Sequence, residues 1–511
     1  MSERIKHGLR NARTSLFFYF IMLGLNLFSR KIFLEYLGDT LSGLVTTMQF
    51  TVGLLNMADI GISTAIIYAL FKPIYDDDRE EINRIISLFC YLFRLIGIGV
   101  VIAGTVIMFL MPSFLEDQVP PVTIMLSFLT FLATSSLSYF VNYKQYLLSA
   151  YQRGYVIVRI FNITTITKIV LQMAALMWLG GGYASFLILE VVAAVVYSWL
   201  LERCVGREYP WLKPSFALGR SIKGEYKPVF RNLKQIVSHK FAAVVLTQTD
   251  SVVIAHFISL TTVTLYYNYA MIISKLTTFV TSCFSGAWAG VGNLISEGDR
   301  DKIQHVFWQY ATATMFLAGV LCGCARLLAD PFISVWLGER YLLDDATFVC
   351  MLAALYIALL RQPITVFLNG YGLYKDVWSA WLEAGLNIVI SVVGGMMYGL
   401  IGVVVGTLVS TGVVVLLWKP VFLYREGFCR VGVLSFYTTL FKYLTLLAAT
   451  HVMVGWLMRM APPVGSLSSF FALALATVAA YGVTYALLLL PVSSSLRSVF
   501  VIVLRKTLER L

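Results

Sequence analysis

Over nearly its whole length the chain is divided into apolar segments long enough to cross a membrane as helix, which takes about 20 residues for ~30 Å of hydrocarbon. Breaks at glycine, proline and charge clusters separate fourteen of them, at roughly 15–36, 42–71, 85–111, 120–141, 156–179, 183–202, 237–258, 263–295, 304–328, 346–368, 377–398, 401–424, 436–459 and 469–490. The count depends on the short turns WLGGG (178–182) and GLIG (399–402), and fourteen puts both termini on one side. Composition agrees, with 59% of the 511 residues hydrophobic and 13% charged, against about 25% charged in soluble proteins. The expected fold class is all-α, a polytopic membrane protein of about 14 transmembrane helices. The first segment lacks a small-residue cleavage site and runs on into LEYLG, so no cleaved leader is expected.

Charge orients the segments, because Lys and Arg accumulate in cytoplasmic loops. With the N-terminus inside, twenty-seven cations fall in inner segments and three, Arg326, Arg340 and Arg459, in outer ones. A wrong helix count would have scrambled that partition. The net charge of +12 is therefore read as topology and contact with anionic lipids, and nucleic acid is not an expected partner. The expected location is a bacterial cytoplasmic (inner) membrane, multi-pass, with both termini cytoplasmic.

The longest polar interval, 203–236, separates two sets of six segments. LLSAYQRGYVIV (147–158) resembles FLNGYGLYKDVW (367–378) at an offset of 220, and Trp199 and Trp418 close the sixth and twelfth segments at an offset of 219. Near-equal offsets predict a duplicated six-helix unit in parallel orientation, an arrangement that transporters use around a midplane cavity. The expected organisation is an N-terminal six-helix lobe (1–203), a cytoplasmic amphipathic linker (204–236) and a C-terminal six-helix lobe (237–425). Two further transmembrane helices (426–490) and an amphipathic tail on the inner surface (491–511) complete it.

Four stretches carry a family resemblance: Arg30 with FLEYLG, LLNMADIGISTAIIYALFKPI (54–74), LLSAYQRGY (147–155) and FISVWLGERYL (332–342). In their order and spacing the chain resembles the Wzx-type polysaccharide exporters of the multidrug/oligosaccharidyl-lipid/polysaccharide (MOP) superfamily. The resemblance implies a flippase that moves an undecaprenyl-pyrophosphate-linked oligosaccharide from the inner to the outer leaflet. It also implies two lobes around a cationic cavity, with a polysaccharide polymerase and a chain-length regulator as partners beside the lipid-linked cargo and membrane lipids. The residues agree independently, since a diphosphate carrying sugars needs a polar, positively charged path shielded from hydrocarbon.

Candidate path residues are the ionisable groups well inside the segments: Arg30, Lys31, Asp59, Arg94, Lys168, Glu190, Asp250, Lys275, Arg361 and Glu383, and more peripherally His305, Lys442 and His451. Cations outnumber acids, as an anionic cargo requires. Arg30, Asp59, Lys275, Arg94, Lys168 and Arg361 are expected to bind substrate; Asp59, Asp250, Glu190 and Glu383 are the candidates for coupling an ion, Na+ or H+. Each has a structural alternative. Arg30 either grips a diphosphate through its planar fork or snorkels to outer headgroups. Lys31 points about 100° away around the helix and either snorkels or pairs with Glu35. Asp59 pairs with a cation such as Arg30, couples an ion, or makes a packing hydrogen bond. For Lys168, Arg94, Arg361, Glu190 and Glu383, pairing within the protein competes with substrate contact.

No catalytic residue, metal site or cofactor is expected. The sequence has no G-x-x-x-x-G-K-[ST] phosphate loop, its seven cysteines lack zinc spacing, and its five histidines form no HExxH. Transport should therefore run on an ion gradient or the membrane potential. Two rival readings remain: a MATE-like antiporter of drugs or metabolites, which suits an excess of embedded cations poorly, and a membrane-embedded polymerase or glycosyltransferase, which would need a larger outer loop than 329–345.

Overall fold

The computed structural model describes residues 3–508, apart from 57–61, 116–117, 227–232, 285–286, 374, 429–431 and 461–464. Asp59 and most of the MADIGIS segment lie outside the described residues. Most of the described residues are helical and none is in a strand, and among them eleven helices are long and apolar enough to span a membrane. By contacts the chain divides into two units, Met1–Thr264 and Leu265–Leu511.

The first unit opens with α1 (Glu3–Leu55), which holds the first expected span and the start of the second, joined at Gly38. Gly38 has φ 78° and ψ 174°, a conformation that only glycine adopts without penalty. There follow α2 (Ile62–Tyr75), α3 (Arg79–Phe114), α4 (Pro121–Phe140), the short α5 (Gln145–Ala150), α6 (Gly154–Trp178) and α7 (Tyr183–Glu208). The linker contributes α8 (Phe216–Ile222), and α9 (Leu233–Phe257) and the first turns of α10 (Leu260–Phe284) complete the unit. Although the repeat counts α9 as the first span of the second set, it packs on α1.

The second unit continues from α10 into α11 (Ala287–Glu297), α12 (Arg300–Trp336), α13 (Asp345–Gly370), α14 (Val377–Tyr398) and α15 (Leu400–Gly427). It ends with α16 (Leu434–Met458), α17 (Leu467–Leu489) and α18 (Ser494–Leu508). α14 and α15 meet backbone to backbone: a Cβ added to Gly402 would fall 2.0 Å from the Gly394 carbonyl oxygen, and one on Gly406 2.2 Å from Ser391 Oγ. Such small-residue seams let helices approach closely in lipid, where no hydrophobic force draws them together.

The duplication is visible in the backbone. Of the eight described residues with positive φ, six pair at near-constant offset: Asp77 with Gly298, Gln152 with Gly372, and Gly180 with Gly399. Asp78 caps α3 by accepting from Glu81 N, and Asp299 caps α12 by accepting from Asp301 N and Lys302 N. In the turn at 147–153, Tyr151 N, Gln152 N and Arg153 N donate to Leu147 O, Ser149 O and Leu148 O. At 367–373 the same three bonds run from Tyr371 N, Gly372 N and Leu373 N to Phe367 O, Asn369 O and Leu368 O. A turn repeated bond for bond under little side-chain identity shows that backbone geometry is the repeated element.

Candidate functional site

In the first unit three of the predicted charges, Arg30, Lys168 and Glu190, gather at one depth. α6 brings Lys168 and, one turn on, Gln172 against α7, where Lys168 Nζ lies 2.7 Å from Glu190 Oε1. Gln172 Nε2 donates to Glu190 Oε2 at 3.2 Å and to the Phe186 carbonyl at 3.0 Å. Glu190 thus accepts from a charged and a neutral donor, which is what a carboxylate taken out of water requires. Phe186 in turn meets Phe33 of α1 edge to face, with ring centroids 5.2 Å apart. α1 and α7, the first and sixth spans, run in opposite directions, so Arg30, three residues before Phe33, and Glu190, four after Phe186, both lie one turn to the same side of that contact. Arg30, Lys168, Gln172 and Glu190 therefore form one polar layer. Arg30 is half-buried, and its Nη2 reaches the Thr264 carbonyl at 3.5 Å, the outer limit of a hydrogen bond.

The other predicted residues stand apart from this layer. Arg94 is exposed on α3, with its guanidinium 5.8 Å from the Phe216 ring of the linker helix α8. That places it at the linker end of the unit. Lys31 is exposed and makes no ion pair with the exposed Glu35, both being described residues. Asp250 is buried on α9, while the hydroxyls of Thr247 and Thr249 bond back to their own helix at Val244 O and Val245 O.

In the second unit Arg361 of α13 pairs with Glu383 of α14, whose side chain is 2% exposed. This is not the repeat of the Lys168–Glu190 pair, which joins the fifth and sixth spans; Arg361–Glu383 joins the tenth and eleventh. At the repeat-equivalent place, Asn387 Nδ2 donates to Thr407 Oγ1 at 2.9 Å and Ser391 Oγ to Val403 O at 3.0 Å. The architecture is duplicated and its polar chemistry is not. Lys275 is half-buried on α10, His305 is exposed and contacts Gln309, Lys442 is exposed on α16, and His451 lies 6.3 Å from the Tyr481 ring.

Sequence reasoning missed several partners. Gln172 carried a signal, since it stands four residues after Lys168 on the same helix face. The buried pair Asp376–Lys419, at 2.5 Å, carried none, because 43 residues separate its members. Tyr269, whose hydroxyl donates to Asp330 at 2.7 Å and accepts from Leu343 N at 3.2 Å, was likewise invisible. Among the described residues no cluster of His, Cys, Asp and Glu is arranged to hold a metal ion.

No protein-family model matches the sequence, and no curated protein matches it either. Solved structures do match the fold. A lipid II flippase, MurJ, in an inward closed conformation is 16% identical with a TM-score of 0.63, the alignment covering 93% of this chain and 98% of that one. An inward-facing multidrug resistance MATE family transporter of the MOP superfamily is 13% identical with a TM-score of 0.56, covering 78% and 94%. The chain has the polytopic all-α fold of MOP-type transporters. It is a multi-pass membrane protein, and its structural neighbours are a flippase and a transporter, not enzymes.

Proposed function

We propose that this protein is a secondary-active flippase that carries an undecaprenyl-pyrophosphate-linked oligosaccharide from the inner to the outer leaflet of a bacterial cytoplasmic membrane by alternating access. The observation that carries the reading is the polar layer of the first unit: a half-buried guanidinium, Arg30, at the depth of the Lys168–Glu190 pair. A guanidinium offers a diphosphate two parallel charge-assisted hydrogen bonds. The fold likeness to a lipid II flippase over 93% of the chain supports a lipid-linked saccharide as the cargo class. In this reading Arg30 contacts the diphosphate, Lys168 and Glu190 shape the layer around it, and Asp59 and Asp250 are the acids to test for ion coupling. The sugars leave the protein on the outer side, where a polysaccharide polymerase and a chain-length regulator are the expected partners.

Purified protein in vesicles loaded with the lipid-linked oligosaccharide tests this directly. An imposed potential or a Na+ or H+ gradient, with no nucleotide, should bring labelled glycan to the opposite leaflet, detected by a lectin added outside. Transport of organic cations with no movement of the lipid-linked glycan would identify an antiporter instead.

A further inference from the structure

The linker lies along the start of α3: Lys213 N donates to Asn83 Oδ1, Ser215 N to Ser87 Oγ, and Arg84 pairs with Glu225. The other end of α3, at Phe114, therefore marks the side of the first unit away from the linker. There the corner between α9 and α10, which the repeat assigns to the second set of spans, is held to the first set by bonds between unlike parts of the chain.

Helix ends leave carbonyls and N–H groups without intrahelical partners. At this corner they are satisfied reciprocally. The Gln118 side chain, from the loop after α3, donates to Ala255 O near the end of α9 at 3.1 Å and accepts from Leu260 N at the start of α10 at 2.7 Å. His256 answers in the other direction: its Nδ1 lies 2.6 Å from Phe114 O at the end of α3, and its ring stacks on Phe114 with centroids 4.0 Å apart. On the other flank Thr264 Oγ1 donates to Asp39 O at 2.7 Å, beside the Gly38 turn. The corner sits so close to α1 that a Cβ on Gly43 would fall 1.9 Å from Leu260 O. Ile254, Ala255, Leu260 and Val263 have no exposed surface.

We infer that this corner is a latch that closes the outer side of the transport path, with Gln118 and His256 as its positioning residues and Gly43 as the seat that lets it close. Its bonds are few, neutral and swapped between segments, so it can part while every helix stays intact. Arg30 touches the latch through the Thr264 carbonyl, and, on the flippase reading above, a diphosphate that engages Arg30 draws it from that carbonyl and couples cargo binding to release.

Labelling tests this without identifying or following any cargo, so a failure of the latch is distinguishable from a failure of the flippase reading. Thr47, wholly buried one turn beyond Gly43 with its hydroxyl bonded to Gly43 O, serves as the reporter position. Full-length Thr47→Cys protein in intact cells is treated with a membrane-impermeant maleimide, against the same protein lacking Thr47→Cys as background for the native cysteines. Gln118→Leu, which keeps volume and removes both bonds, should label roughly tenfold faster from outside, the scale of one or two lost neutral hydrogen bonds. His256→Phe keeps the stack, loses the bond to Phe114 and should label faster to a lesser degree. Gly43→Ala, which cannot seat the corner, should label fastest. Unchanged rates in all three would overturn the latch; faster labelling only from the cytoplasmic side of inverted vesicles would overturn its outer placement.

Discussion

Arg30 and Lys31 are adjacent cations that the structure treats differently. Arg30 is half-buried, joins the layer of Lys168 and Glu190, and reaches a backbone carbonyl, while Lys31 is exposed on another face of the helix. If Arg30 grips a diphosphate through its fork, Lys cannot replace it, because an ammonium is a point charge without the planar pair of donors. Arg30→Lys should lower export of lipid-linked glycan, normalised to inserted protein, by roughly tenfold or more, the scale of a lost charged hydrogen bond. Arg30→Ala should abolish export, and Lys31→Ala should stay near wild type. Wild-type export in Arg30→Ala would mean that both cations serve the membrane. Arg30 was legible in the sequence because a charge inside a span is costly wherever it points. Which of Lys168, Arg94 and Arg361 pair with acids was not legible, because that depends on which helix faces which.

The C-terminal helices are fixed to α12 by tyrosines seated over glycines. A Cβ on Gly323 would fall 2.0 Å from the Tyr481 ring, and one on Gly319 2.7 Å from Tyr485. Both rings are fully buried; Tyr485 Oη donates to Tyr443 O at 3.0 Å, and Tyr443 Oη to Ser493 Oγ at 3.0 Å. The Tyr481 hydroxyl is buried and has no hydrogen-bond partner among the described residues. Gly323→Ala should therefore cost about 1–3 kcal/mol through overpacking, read as a lowered Tm in lipid nanodiscs. Tyr481→Phe should be neutral or slightly stabilising, since it removes a buried hydroxyl that bonds nothing. Gly323→Ala with Tyr481→Leu should recover much of the loss, and a Gly323→Ala protein as stable as wild type would refute the close seat. The glycines could be read from the sequence; that these two receive rings, while Gly180 and Gly399 instead make positive-φ turns, required the packing.

For the molecule as a whole, the twenty-seven to three partition of loop cations fixes a testable topology. Reporter fusions after Gly206 and after Leu511 should both give the cytoplasmic signal, and one after Gly338, in the positive-φ turn beyond α12, should give the periplasmic signal. A periplasmic signal after Gly206 would mean that a span has been miscounted.

The sequence by itself determined the membrane class, the near-regular succession of spans and the duplication, because each is written in local quantities: runs of about 20 apolar residues, charges between them, and turns that recur at an offset of 220. Only the tertiary structure decided that Glu190 answers Lys168 and Gln172, that Asp376 answers Lys419, and that α9, though it opens the second repeat, packs on α1. Those facts depend on which faces of distant helices meet, and a charge buried in an apolar span takes whichever partner that meeting brings within hydrogen-bond reach.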